Sequence, residues 1–330
     1  MSADDKELLQ TLVKILQVAG AAVNGNASDG DEQKDNPVAA SAVPQGEAPS
    51  CSIKTLPDRL FVPAAQTAVK VNPVNAPALA VSSMLAANVP FEPMAIAVMT
   101  SKYWGPTPRQ LTVNFLESTP ADLRARILSH MNAWARVSCV TFVETQGAAD
   151  VRISRGPGGY WSYLGTDILH IPKDRPTMNL EGFTMNTAES EYLRVVRHET
   201  GHTLGFPHEH MRQELVARID PQKAYDFFYR QYGWNKTAVD QQVLTALDQQ
   251  SIFATPPDQT SIMCYQLPGT ITKDGQPIQG GLDINGTDYA FAAQIYPKPA
   301  SSTMDKPDAA QKPSADRDAW SASEDVEVTV

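Results

Sequence analysis

The stretch HETGHTLGFPHEH, residues 198 to 210, holds four of the six histidines of a 330-residue chain. His198 and His202 are four apart, which puts both rings on one face of a helix. Glu199 lies between them and can face the same ligand. Gly205 can take the left-handed backbone that ends a helix and turns the chain, and the turn brings His208 toward the same point. The pattern HExxHxxGxxH therefore offers three neutral imidazoles, which bind zinc at about 2.0–2.1 Å and leave a fourth position open to water. Structural zinc sites are closed and usually use cysteine, so an open all-histidine set points to catalysis. A zinc ion there lowers the pKa of its bound water to about 7. Glu199 is placed to take the proton as the water attacks a peptide carbonyl and to return it to the leaving amine. His170 and His210 fall outside the pattern and are not expected to be ligands.

These side chains need a scaffold. AESEYLRVVRHETGHTLG reads as the helix that carries the first two histidines, ending at Gly205. QLTVNF alternates Leu111, Val113 and Phe115, the period of a strand. CVTFVE, ADVRIS and DILHIP read as further strands. Thr119 is expected to cap a helix with Pro120 at its first position, whose apolar face is Leu123, Ile127, Met131 and Trp134. DPQKAYDFFYRQYG and TDYAFAAQIYP read as later helices. Strands come first and helices later, so the class is α+β.

The flanks differ in composition. Leu8, Leu9, Leu12, Ile15, Leu16 and Ala19 recur at helical spacing, so residues 1–22 predict a short amphipathic helix. Residues 23–50 read as a flexible linker. Residues 51–95 carry six prolines and predict an extended segment with little regular structure, a candidate pro-segment. Residues 96–298 form the folded domain, and 299–330 an acidic disordered tail. The N-terminus opens acidic where a secretory leader opens basic. The expectation is therefore a chain without a signal peptide, cytoplasmic or exported by a route that reads no leader. A net charge of −10 argues against a nucleic-acid partner, and no apolar run is long enough to span a membrane. A monomer is expected. Three cysteines, Cys51, Cys139 and Cys264, allow at most one internal disulfide.

HETGHTLGFPHE resembles the astacin family of metzincin zinc metalloproteases, whose HExxHxxGFxHE is matched at every fixed position. SIMCY, residues 261 to 265, is similar to the family's SxMxY Met-turn. The resemblance covers residues 96 to 297. It implies a metzincin fold: a twisted, mostly parallel sheet with an antiparallel edge strand, two long helices and an irregular C-terminal half. It implies one zinc ion per chain, a protein or peptide substrate lying extended along the sheet's edge strand, and zinc endopeptidase activity. By the same resemblance Met263 forms a hydrophobic base beneath the histidines. Tyr265 is a switchable zinc ligand that hydrogen-bonds the oxyanion. Glu209 meets the mature N-terminus after activation, or is a surface carboxylate. GPGGYWSYLG stands where the family has a Gly-Cys-Ser-Ser turn. Neither family disulfide can form, because QIYPKP lacks the partner of Cys139, and Tyr160 and Trp161 replace the second bridge. Segments preceding such domains often block the zinc, so Cys51 or Asp58 is a candidate fourth ligand; the other reading of Cys51 is a free thiol. Two functional alternatives stay open: a catalytically silent zinc protein that binds peptides, and a zinc hydrolase acting on a non-peptide bond.

Overall fold

The computed structural model describes residues 51–77, 100–246 and 256–299. The helix expected at 1–22, the linker at 23–50, residues 78–95 and the acidic tail from 300 onward lie outside them.

Six strands form one sheet: β1 (Cys51–Lys54), β2 (Arg109–Phe115), β3 (Val140–Glu144), β4 (Val151–Ser154), β5 (Tyr160–Tyr163) and β6 (Met178–Leu180). Their order across the sheet is β1-β5-β6-β4-β2-β3. β2 runs parallel to β3 and β4, and β4 parallel to β6. β5 runs antiparallel to β6, and β1 pairs parallel with the free side of β5. Five helices matter for the site: α1 (Asp58–Val71), α2 (Ala121–Met131), α3 (Arg197–Thr203), α4 (Pro221–Tyr232) and α5 (Gly286–Ile295). This is the mixed, mostly parallel sheet with an antiparallel strand that the family resemblance implied. The antiparallel strand β5 is not itself the edge, because the chain's own β1 covers its outer side.

Three sequence expectations are corrected. DILHIP is not a strand; Gly165–His170 is a 3-10 turn. The buried residues there are Ile168 and Ile171, three apart, which is the repeat of a 3-10 turn rather than of a strand. Residues 51–95 are not uniformly extended, because α1 occupies fourteen of them. Pro57 stands just outside its first turn, where it does no harm. Pro63 is inside the helix, yet Val62, Ala64, Ala65, Ala68 and Val69 are buried at helical spacing around it, and packing outweighs the lost backbone bond. Thr119 does not cap α2: its hydroxyl donates to Glu117 O at 2.9 Å, and the cap position falls on Pro120.

The main core fills the space between the sheet and α2, α3 and α5, with Trp104, Trp134, Phe142, Ile153 and Tyr296 among its fully enclosed side chains. A second, smaller core joins α4 to the segment after residue 261, through Leu215, Phe228, Val243, Leu267 and Ile278. α1 docks on the 3-10 turn, with Leu56 and Ala64 packing on Ile171. Its C-terminal end is held by Asn75. That buried amide donates to Ala68 O at 2.9 Å and Tyr103 O at 2.8 Å, and accepts from Tyr103 N at 2.9 Å.

Candidate metal centre and cleft

α3 follows directly on a π turn, Tyr192–Val196, an irregularity frequent at functional sites. Three aromatic donors fix the helix. Trp134 Nε1 donates to Arg197 O at 2.9 Å, Trp104 Nε1 to Thr203 O at 2.8 Å, and the Tyr296 hydroxyl to Leu204 O. The last two occupy carbonyls at the end of the helix, which have no partner within it. Gly205 then adopts φ +94°, the left-handed turn expected of it, and the chain reverses to deliver His208.

His198, His202 and His208 converge. Their ligand atoms and the Cys51 sulfur all lie within 4.8 Å of one another, and all four residues are buried. His198 Nδ1 donates to Ile262 O at 2.6 Å and His202 Nδ1 to Phe206 O at 2.8 Å. Each bond fixes the tautomer and leaves Nε2 as a bare acceptor facing the common centre. His198 Nε2 is buried without a protein partner, and the Nε2 atoms of His202 and His208 stand 3.0 Å apart. Three ring nitrogens gathered at one buried point, two of them bare acceptors, fit a cation between them. Burial lowers the pKa of all three, His198 to about 4, so each ring is neutral and free to ligate at pH 7.

Glu199 projects from the same helix and is fully buried. Burial raises its pKa to about 8, with the Cys51 hydrogen bond and the Arg194 charge opposing. The Cys51 thiol donates to Glu199 Oε1. Burial first, then the charge of Glu199, hold that thiol well above its usual value. Asp58, the other candidate blocking ligand, starts α1 on the surface and is not part of the cluster.

The turn through Ser261 to Cys264 is closed by Cys264 N donating to Ser261 O at 2.9 Å. Asp288 of α5 holds it, accepting from the Ser261 hydroxyl at 2.6 Å and Ile262 N at 2.9 Å. Met263 thereby lies against α3 at Gly201, where any Cβ would collide with its sulfur. Tyr265 faces the histidines, its ring centroid 4.5 Å from that of His208 and 6.2 Å from that of His198. Burial, and the charges of Cys51 and Glu199 beside it, raise its hydroxyl pKa well above the usual value. Glu209 is tied in through its backbone N, which donates to Met263 O at 2.8 Å. Its carboxylate accepts from Asp258 N at 3.2 Å and lies 3.5 Å from Arg212. His210 donates Nε2 to Gln242 O at 2.9 Å, and His170 Nε2 meets the Thr67 hydroxyl at 2.9 Å. Cys139 and Cys264 are both free thiols, each in a different core.

A cavity of about 400 Å³ opens beside Glu199, walled by Arg194, Val195, Phe227, Tyr232, Leu267 and Pro268. Arg194 pairs with Glu191 through Nη2 at 2.8 Å. Sequence reasoning did not single out Arg194, Gly201 or Gln242, since none stands at a fixed position of the motifs.

A helix carrying two of three converging histidines, beneath a mixed sheet and above a methionine turn, defines the metzincin class of zinc peptidases. The chain belongs to the astacin family of peptidases, whose profile matches residues 97–276, more than half its length. Zinc metalloproteinase nas-27 of Caenorhabditis elegans is 32% identical over 120 residues, covering 36% of this chain and 25% of that protein. The match thus spans a quarter of that relative's length. The solved structure of myroilysin is 28% identical, covers 60% of this chain and 97% of the other, and superposes with a TM-score of 0.57.

Proposed function

We propose that the chain is a zinc endopeptidase held latent by its own residues 51–54. The observation that carries this is the convergence of the Cys51 sulfur with three histidines on one centre, while β1 lies along β5 where an extended substrate would lie. Zinc, when bound, supplies Lewis acidity and lowers the pKa of water to about 7. His198, His202 and His208 would hold the ion. In the latent chain Cys51 would supply the fourth ligand, as thiolate. Its proton has an acceptor within hydrogen-bonding reach: the S–H bond breaks and an O–H bond forms at Glu199 Oε1. Latency then acts twice, because the open position is filled and the base is already protonated.

With β1 displaced, the edge of β5 offers its unpaired N–H and C=O groups to a substrate strand. Glu199 takes a proton from the attacking water and passes it to the leaving nitrogen. The Tyr265 hydroxyl donates to the oxygen on which negative charge develops. Met263 supports the helix from below and Glu209 anchors the loop behind His208. The test compares zinc-loaded full-length protein with Cys51→Ser and with Cys51→Ser/Glu199→Gln on a quenched protein substrate. Cys51→Ser should cleave faster than the unmodified chain, and the double variant should not cleave. Absence of cleavage by Cys51→Ser with zinc retained would support a silent peptide-binding protein instead.

A further inference from the structure

Gln242 touches β1 from the side opposite β5. Its Nε2 donates to Ile53 O at 3.0 Å and its Oε1 accepts from Ile53 N at 3.1 Å. Residues of a strand direct their peptide groups alternately to its two edges. Both peptide groups of Ile53 go to Gln242, so those of its neighbours Ser52 and Lys54 turn the other way, to β5, with which β1 pairs. The side-chain amide therefore does what a neighbouring strand would do, exchanging both bonds with one residue. It reads no side chain. A carboxamide has one acceptor oxygen and an NH2 donor, and turning it over reverses their order, so it can pair with a strand of either direction.

The location is also specific. Gln242 sits on a π turn, Asp240–Leu244, an irregularity frequent at functional sites. Its backbone is pinned by His210, whose ring stands 4.9 Å from that of His208. Gln242 lies inside the segment matched by the family profile, and β1 lies outside it.

The geometry points to Gln242 as the second wall of the peptide-binding groove: a clamp for the backbone of any extended polypeptide lying along β5. It grips residue 53 in the latent chain and one residue of the substrate once β1 has left. Cys51 marks the metal centre, and Ile53 is two residues further along, about 7 Å at strand spacing. The clamped substrate residue is therefore about two positions from the scissile bond, toward the C-terminal end of β5. The substrate half of this assignment rests on the peptidase reading above.

The experiment has two arms, both on full-length zinc-loaded protein. In the first, alkylation of Cys51 by iodoacetamide is followed by mass spectrometry. Gln242→Ala should raise its rate about tenfold, as expected for the loss of two backbone hydrogen bonds, and Gln242→Glu, which keeps the acceptor, should raise it less. An unchanged rate with an unchanged circular dichroism spectrum would overturn the clamp. In the second, the Cys51→Ser protein is assayed on one cleaved peptide N-methylated at each position in turn. Gln242→Ala should raise KM about tenfold with kcat kept, because the contact is the same in ground and transition states. One N-methyl position should be costly with Gln242 and neutral without it. An N-methyl profile identical in the two proteins would overturn the substrate role. Faster alkylation with no cleavage by any variant would overturn the peptidase reading while leaving the grip on residue 53 standing.

Discussion

Glu199 stands next to His198 and three residues before His202 on one helix and has no solvent contact, so under the proposed function its carboxylate is the proton acceptor at that centre. In the Cys51→Ser background, Glu199→Gln should keep one bound zinc by elemental analysis and lose at least about 10²-fold in turnover. Loss of zinc together with activity would recast Glu199 as a ligand. A second residue-scale prediction concerns Gly201. A Cβ there meets the Met263 sulfur, with Met263 Cε at 3.0 Å and Trp134 Cζ2 at 3.4 Å. Gly201→Ala should destabilise by about 1–3 kcal/mol in urea unfolding, and Met263→Ala should recover part of that, since the two sites share one contact. At this scale the motif was legible because metal ligation fixes residue type and spacing together. Gly201 was not legible because its constraint comes from Met263, 62 positions away in sequence, and Gln242 was not because it acts on a backbone.

The elements that position the site divide along a physical line. β2, β3 and β4 were readable, as alternations or apolar runs between turn residues. β5 and β6 have four and three residues and no such run around them, although β5 is the strand that β1 covers. α1 was hidden by its prolines, and its helical form follows from burial against the domain. That docking has a consequence. Asn75 satisfies three backbone groups, Ala68 O at the end of α1 and the N–H and C=O of Tyr103, and so ties the helix to the domain. Asn75→Ala strands them in a buried place, at a cost of about 2 kcal/mol or more. The expected result is faster tryptic cleavage within residues 58–77 and higher activity of the full-length protein. Unchanged cleavage would mean that β1, not α1, holds the segment down.

On the scale of the whole molecule, the converging side chains come from separate parts of the chain. α3 belongs to the main core, Tyr265 packs against the second core, and Cys51 arrives from outside the segment the family profile covers. A ligand that binds only the folded state stabilises it by about 2.7 kcal/mol at a hundredfold excess over Kd. For a folded region of this size each kcal/mol moves Tm by about 2–4 °C. Chelation should therefore lower Tm by about 5–10 °C, and by less in Cys51→Ser, which has one ligand fewer. Equal shifts in the two proteins would show that the thiol adds nothing to the site. Closure of the metal centre by Cys51 is decided by X-ray absorption at the zinc edge of the unmodified chain. Three nitrogen ligands at about 2.0–2.1 Å and one sulfur at about 2.3 Å are expected, with the sulfur absent in Cys51→Ser. A first shell of light atoms alone in the unmodified chain would contradict it, leaving the metal centre open and residues 51–54 without a role in closing it.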